Sequence, residues 1–258
     1  MRTPARLLFS LVVSLLFLAS PLSAQEEEGY TRLLVPLTAY NVPGVNGSVW
    51  TTEWTVFNGT AEQLYVSGPF PFLSLSPMIQ DNTVEAQQTK RLFLRETDRG
   101  MDGAWIYVPD ASLERLSMSL RVRDISVNAQ SYGTSIPLVR RHEYKPAIRL
   151  IDVPVDPSYR ATLRVYSYTD EPHPVLVTVF AANRAAPLDQ YEVALHRNEL
   201  RGIEETPRPA YVQLDPLSEA VRASGGAVRI EVTSLGAPVW AFVSISHNQT
   251  QQVTTVLP

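Results

Sequence analysis

Fifteen short runs of alternating apolar and polar residues, each closed by Pro, Gly, Asn or Asp, set the limits on what this chain can fold into. "TRLLVPL" (31–37), "VWTTEWTVFN" (49–58), "EQLYVSG" (62–68), "RLFLR" (91–95), "GAWIYVP" (103–109), "RLSMSLRVRD" (115–124) and "TSIPLV" (134–139) form one set. The second set runs from "AIRLIDVPV" (147–155) through 158–168, 174–182, 189–195, 210–214, 227–234 and 238–246 to 252–258. Runs this short, rich in Val, Ile, Thr, Tyr and Trp, predict strands that show one face to a core. Regular spacing of such strands predicts antiparallel sandwiches, because each half-buried sheet needs a second layer.

The two sets correspond in order. Trp50, Trp54, Val56 and Phe57 match Tyr159, Leu163, Val165 and Tyr166 at a constant offset of 109. "SLRVRD" (119–124) matches "AVRIEV" (227–232) at an offset of 108, and "AWIYVPDASLERL" (104–116) is similar to "AYVQLDPLSEAVRA" (210–223). The offset at "RLLVPL" and "RLIDVPV" is 117, which makes "NVPGVNGS" (41–48) an extra loop of the first copy. An internal duplication follows. The expected fold is all-β: two tandem Ig-like antiparallel β-sandwich domains over 25–140 and 147–258, joined by an exposed linker at 141–146. One larger sandwich is the alternative architecture. In the second copy Asp215 is expected to cap a helical turn, with Pro216 at its first position and Glu219 in its first turn.

Residues 1–24 have the layout of a signal peptide: Arg2 and Arg6, an apolar stretch from Leu7 to Leu18, then Pro21 and the small residues Ser23 and Ala24. Cleavage is expected after Ala24, with an uncleaved N-terminal anchor as the alternative. The stretch is short for a membrane span, and no second apolar run of about 20 residues follows. The chain is therefore expected to be exported, to the periplasm, the cell surface or the medium, with no membrane span after signal cleavage. Removing Arg2 and Arg6 leaves 20 basic residues against 26 acidic ones, a balance that argues against nucleic acid as a partner. Cysteine is absent, so an exported domain of this kind must draw its stability from its core.

Catalytic patterns are sparse. His142, His173, His196 and His247 lie at no metal-ligand spacing, no G-x-S-x-G elbow is present, and "SGGA" (224–227) leads into a strand rather than a helix. The best cation candidate is "DRGMDG" (98–103), where Asp98 and Asp102 could serve calcium, although Asp–Gly pairs are also ordinary turn formers. No cofactor is expected. Alternation puts Trp50, Thr52, Trp54 and Val56 on one face of their strand. Leu163 replaces Trp54 in the second copy, and an aliphatic residue cannot stack a sugar, so that face reads as core rather than ligand platform. Trp105 and Trp240 read as core for the same reason. Asn46, Asn58 and Asn248 begin N-x-S/T sequons, relevant only in a glycosylating host.

"VWTTEWTVFN", "SYGTSIPLVRR" and "VWAFVSISHNQTQQVTTVLP" resemble stretches of secreted bacterial proteins of immunoglobulin-like β-sandwich type. The resemblance implies the fold and export and brings no catalytic residue with it. The chain departs from antibody domains in lacking their Cys–Trp–Cys core. The expected role is non-enzymatic: adhesion, scaffolding or binding of a protein or glycan through loops at one end of the sandwiches. The candidate contact residues are Asn41 and Asn46 in the extra loop, and Phe70, Phe72 and Met78 in the long segment 68–89, which has an additional strand as its other reading. A carbohydrate-binding or accessory module of a glycan-degrading system is the alternative role, and it would need an exposed aromatic row.

Overall fold

The computed structural model describes residues 29–66, 83–93, 102–197 and 208–258. The first half contains β1 (Tyr30–Thr38), β2 (Val42–Pro43), β3 (Val49–Asn58), β4 (Leu64–Tyr65), β5 (Thr83–Val84), β6 (Thr89–Phe93), β7 (Asp102–Pro109), β8 (Leu116–Asp124) and β9 (Thr134–Ile136). The second contains β10 (Ala147–Pro154), β11 (Tyr159–Ser167), β12 (Pro174–Ala181), β13 (Pro187–Ala194), β14 (Tyr211–Leu214), β15 (Ala227–Ser234), β16 (Val239–His247) and β17 (Val253–Val256). The chain is all-β apart from short helical turns, and every pairing is antiparallel.

Five pairings of the first half have counterparts in the second, while β2–β3 and β12–β15 have none. β1–β7, β3–β6, β3–β8, β8–β9 and β4–β5 in the first half recur as β10–β15, β11–β14, β11–β16, β16–β17 and β12–β13 in the second. The recurrence corrects the strand correspondence read from sequence. "SLRVRD" lies in β8 and "AVRIEV" in β15, yet β8 pairs with β3 whereas β15 pairs with β10 and β12. The strand that occupies the place of β8 is β16. Likewise β7 corresponds to β15 and not to β14.

The second half stacks the sheet β10-β15-β12-β13 on the sheet β14-β11-β16-β17. An immunoglobulin constant domain orders its strands ABED and CFG. With β10 to β16 as A to G, the B–E and C–F neighbours are present, but A lies beside F and G beside B. The first, fourth and last strands have changed sheets relative to that plan, D lying beside C rather than E.

Between the stacked sheets Leu150, Leu163, Val165, Val177, Val179, Ile230, Val232 and Val243 make a dry core. A separate core joins the two halves. It holds Trp54, Val56, Leu92, Leu120 and Val122 from the five-stranded sheet of β2, β3, β6, β8 and β9, most of β1 and β7, and Tyr166, Trp240 and Phe242 from the second half. Consecutive residues Leu33–Leu34–Val35 and Ala104–Trp105–Ile106–Tyr107–Val108 are all buried, so the β1–β7 ribbon is covered on both faces. Strands buried on both faces read as continuous apolar runs, and "LLV" and "AWIYV" do. Toward the five-stranded sheet, the Thr52 hydroxyl donates to Leu37 O and accepts from Ala39 N, both at 3.0 Å. On the side of the second half, the Tyr166 hydroxyl donates to Pro36 O. Gly103 permits that approach, because a Cβ there would lie 2.4 Å from the Tyr166 ring.

β11 and β16 are therefore buried on both sides. Val239, Ala241 and Val243 face the core of the second half, while Trp240 and Phe242 face the shared one. Burying a large side chain of this kind contributes about 1.5–3 kcal/mol. The connection between the halves is pinned at its two ends, while Arg141, His142, Lys145 and Pro146 stay exposed. Val139 exchanges both backbone hydrogen bonds with Leu34 of β1, and Lys145 does the same with Val239 of β16. Tyr144 is buried and meets the Tyr168 ring edge-on at 5.1 Å. A backbone joining two layers needs partners for its polar groups, and here Val139 and Lys145 find theirs in β1 and β16.

α1 (Asp110–Leu113) follows β7, and α2 (Glu219–Ala223) precedes β15. The cap of α2 is Ser218, whose hydroxyl accepts from Val221 N at 3.4 Å. Asp215, the residue expected to cap it, accepts from Leu217 N at 3.0 Å and pairs with Arg222. Three loop residues separate Asp215 from the first turn, too many for a cap.

Candidate functional site

Four loops converge at one end of the molecule, and each holds the same place in its half: 40–48 and 155–158 before the second long strand, 124–133 and 247–252 after the strand beside it. Asn41 and Asn46 adopt left-handed backbone conformations with φ of 53° and 55°. Asparagine tolerates that region better than most residues. The Asn46 amide donates to Asn248 O at 3.0 Å, tying the first half to the second. Asn248 in turn accepts from Arg160 Nη1 at 2.7 Å and donates to Pro157 O at 2.7 Å. Gln251 is buried with φ of 55°, donates to Asn248 O and accepts from Arg160 Nη2.

Asp124 anchors the other side of this end. Its carboxylate accepts from Val49 N, Ser126 N, the Ser126 hydroxyl and Asn128 N. Burial alone pushes this carboxyl up, but the donors from Ser126, Val49 and Asn128 outweigh it and hold it below its ordinary value of 3.8. Ser126 also donates to Gly47 O at 2.9 Å. The loops are thus held in one arrangement, with Val45, Ile125 and Val127 left exposed on them.

Of the residues expected to make contacts, the structure brings Asn46 to the junction of the halves and leaves Asn41 at the turn into β2. Phe70, Phe72, Met78 and Asp98 lie outside the described residues, as does the side chain of Asp102, whose backbone begins β7 opposite Thr38. Among the described residues no group of three His, Cys, Asp or Glu side chains could hold a metal ion. His173 approaches Glu171 O, and His247 packs edge-on against Tyr159 at 5.2 Å. His196 bridges to Tyr211 through its backbone.

Trp54, Trp105 and Trp240 are buried, and Trp50 packs partly buried against the shared core, so the tryptophans form no exposed row. Asn58 is buried too. Its amide donates to Glu62 O and Val84 O, which leaves it no role as a sequon in the folded protein.

A second surface was not anticipated from the sequence. The outer face of β6, β3, β8 and β9 gathers Arg91, Glu53, Arg121 and Arg123 with a row of hydroxyls from Thr51, Thr55, Ser119 and Ser135. Glu53 accepts from Arg123 Nη1 at 3.2 Å and lies 3.6 Å from Arg91 Nη1. Arg121, directly opposite Glu53 in register, instead stacks its guanidinium 3.6 Å over the Tyr132 ring. Tyr132 is 77% exposed. Alternation predicts Arg121 and Arg123 on one face. Their meeting with Glu53 and Tyr132 depends on strand register and on the turn at Gly133, whose φ is 80°.

The loop end leaves Val45, Ile125 and Val127 exposed, and the sheet face sets guanidinium groups beside the exposed Tyr132 ring. Compared with known proteins, the chain matches no family model, no curated protein and no solved structure.

Proposed function

We propose that this chain is an exported β-sandwich protein, non-enzymatic, with an adhesive, scaffolding or binding role, built from a duplicated sandwich unit. The observation that carries the binding role is the loop end, where loop 40–48 of the first half is tied to loop 247–252 of the second through Asn46 and Asn248, with Arg160 holding Asn248 in place. A preorganised surface binds at lower entropic cost than a mobile one. The recurring pairing scheme supports duplication, with β8 in the place of β16. The layout of residues 1–24 supports export and cleavage after Ala24.

Fractionation of a bacterial host that produces the full chain tests this reading. The expected result is a mature protein beginning at Gln25 outside the cytoplasm, sedimenting with envelope fragments. Retention in the cytoplasm, or an exported protein with no envelope association, overturns it. A carbohydrate-binding role is the second reading, and the open face of Tyr132 favours it.

A further inference from the structure

We infer that the outer face of β6, β3, β8 and β9 is a binding site for a carboxylated polysaccharide, with Arg121 as its principal charge contact and Tyr132 as its stacking ring. The inference rests on the second reading above and names its ligand class.

Charge is the first argument. The whole chain carries a net charge of −4, yet this face carries Arg91, Arg121 and Arg123 against one outward carboxylate, Glu53. The other acidic residue of these four strands, Asp124, is buried and saturated by its own donors. Loop 125–133 contributes no acidic residue. The surface therefore holds a local excess of two positive charges on an acidic protein, and an anion is what it complements.

The state of Arg121 is the second. Arg91 and Arg123 share Glu53, whereas Arg121 has no carboxylate partner among the described residues, and its Nε makes no hydrogen bond. Its contact is the Tyr132 ring, which fixes the plane of the guanidinium; with Nε buried, the two terminal nitrogens are the pair that a ligand would meet. A planar fork held in place is suited to receive a carboxylate on two parallel hydrogen bonds.

The shape selects carbohydrate over other polyanions. Arg121 covers one side of Tyr132, and the exposed remainder of the ring is available to the C–H face of a sugar. The strands between carry Thr55, Ser119 and Ser135, hydroxyls on one face suited to exchange hydrogen bonds with sugar hydroxyls. Arg91 and Arg121 stand on strands either side of β3, about 10 Å apart at ordinary strand spacing, roughly the reach of a disaccharide. A linear chain with a carboxylate on its sugar rings meets all three features.

The test uses the mature full chain with polygalacturonate as probe, in affinity electrophoresis and calorimetry, against neutral dextran and poly-glutamate. The expected result is salt-sensitive binding of polygalacturonate and none of dextran. Arg121→Glu and Arg121→Gln should each weaken binding about tenfold or more, as expected when one charge-assisted pair is lost. Tyr132→Ala should weaken it several-fold, and Arg121→Gln and Tyr132→Ala should keep the parent melting temperature, whereas Arg121→Glu faces Glu53 across the strands and should lower it. Binding of poly-glutamate as tight as polygalacturonate overturns the inference in favour of an acidic peptide. Undiminished binding by both Arg121 variants, or no binding of polygalacturonate at low salt, also overturns it. If polygalacturonate fails while envelope sedimentation persists, the ligand class is wrong and the binding role stands; loss of both removes both.

Discussion

The outer faces of the two β3-like sheets hold the same place in the pairing scheme and have opposite fates. In the second half that face, on β11 and β16, carries Arg160, Thr162, Arg164 and Tyr166 beside Trp240, Phe242, Ser244 and Ser246. Its aromatic end is sealed against the β1–β7 ribbon, and Arg160 at the other end is consumed by Asn248 and Gln251. In the first half the same face, on β3 and β8, carries Thr51, Glu53, Thr55 and Phe57 beside Ser117, Ser119, Arg121 and Arg123 and is left to solvent apart from the buried Thr51 and from Glu53, which lies beneath Arg91 and Arg123. Ser117 and Ser119 stand where the second half has Trp240 and Phe242, and that difference separates a free surface from an assembly surface. The strand plan did not have to change.

Removing the seal should do the most damage. Trp240→Ala takes a fully buried indole out of the shared core and should cost about 3–5 kcal/mol, read as a lower denaturant midpoint. If the shared core is what unites the halves, calorimetry on this variant should show two transitions in place of one. A single undisturbed transition would mean that the halves are held together elsewhere. Gly103→Ala presses a methyl into the Tyr166 ring and should cost about 1–3 kcal/mol, with Tyr166→Ala restoring part of the loss in the double variant.

Asp124 sharpens the contrast from the loop end. Asp124→Asn removes charged acceptors from its donors and should cost about 1–2 kcal/mol at neutral pH. Its folded pKa lies below the unfolded value of 3.8, so its stabilisation is present above that value and fades as pH falls through the folded one. The parent and Asp124→Asn should therefore differ most near neutrality and converge in strong acid. Constant separation across the acid range would show that the effect is steric. The smallest effect belongs to the open face: Thr55→Ala should change stability by less than about 0.5 kcal/mol. A loss comparable to that of Trp240→Ala would show that this face is covered as well.

Much of the fold was legible because alternation reports burial directly. The run 49–58 is β3 to the residue, and 227–234 is β15. Partner choice was not legible. "SLRVRD" and "AVRIEV" look alike because any half-buried strand alternates in that way, and the likeness says nothing about which neighbour each one joins. The shared core left a signal in "VWAFV", an unbroken apolar run where a sandwich strand should alternate. Asn46 was legible as a turn residue, but its bond to Asn248 links positions some two hundred apart. The Arg121–Tyr132 pair needed the register of β8 against β9, which is fixed by the pairing of Val122 with Thr134. The exposure of 141–146 was legible in its charges and its proline, but the pairing of Val139 with Leu34 and of Lys145 with Val239 at its two ends was not.

The placement of Trp240 and Phe242 also bears on when the molecule can fold. The core of the first half is finished by side chains that come more than one hundred residues after its own last strand, β9. A chain emerging from its N-terminus cannot close that core until residue 242 has followed. Until then the β1–β7 ribbon has one apolar face uncovered, and the first half has reason to stay loose. Closure late in emergence, in a single step that commits both halves together, is the kinetic counterpart of sharing a core.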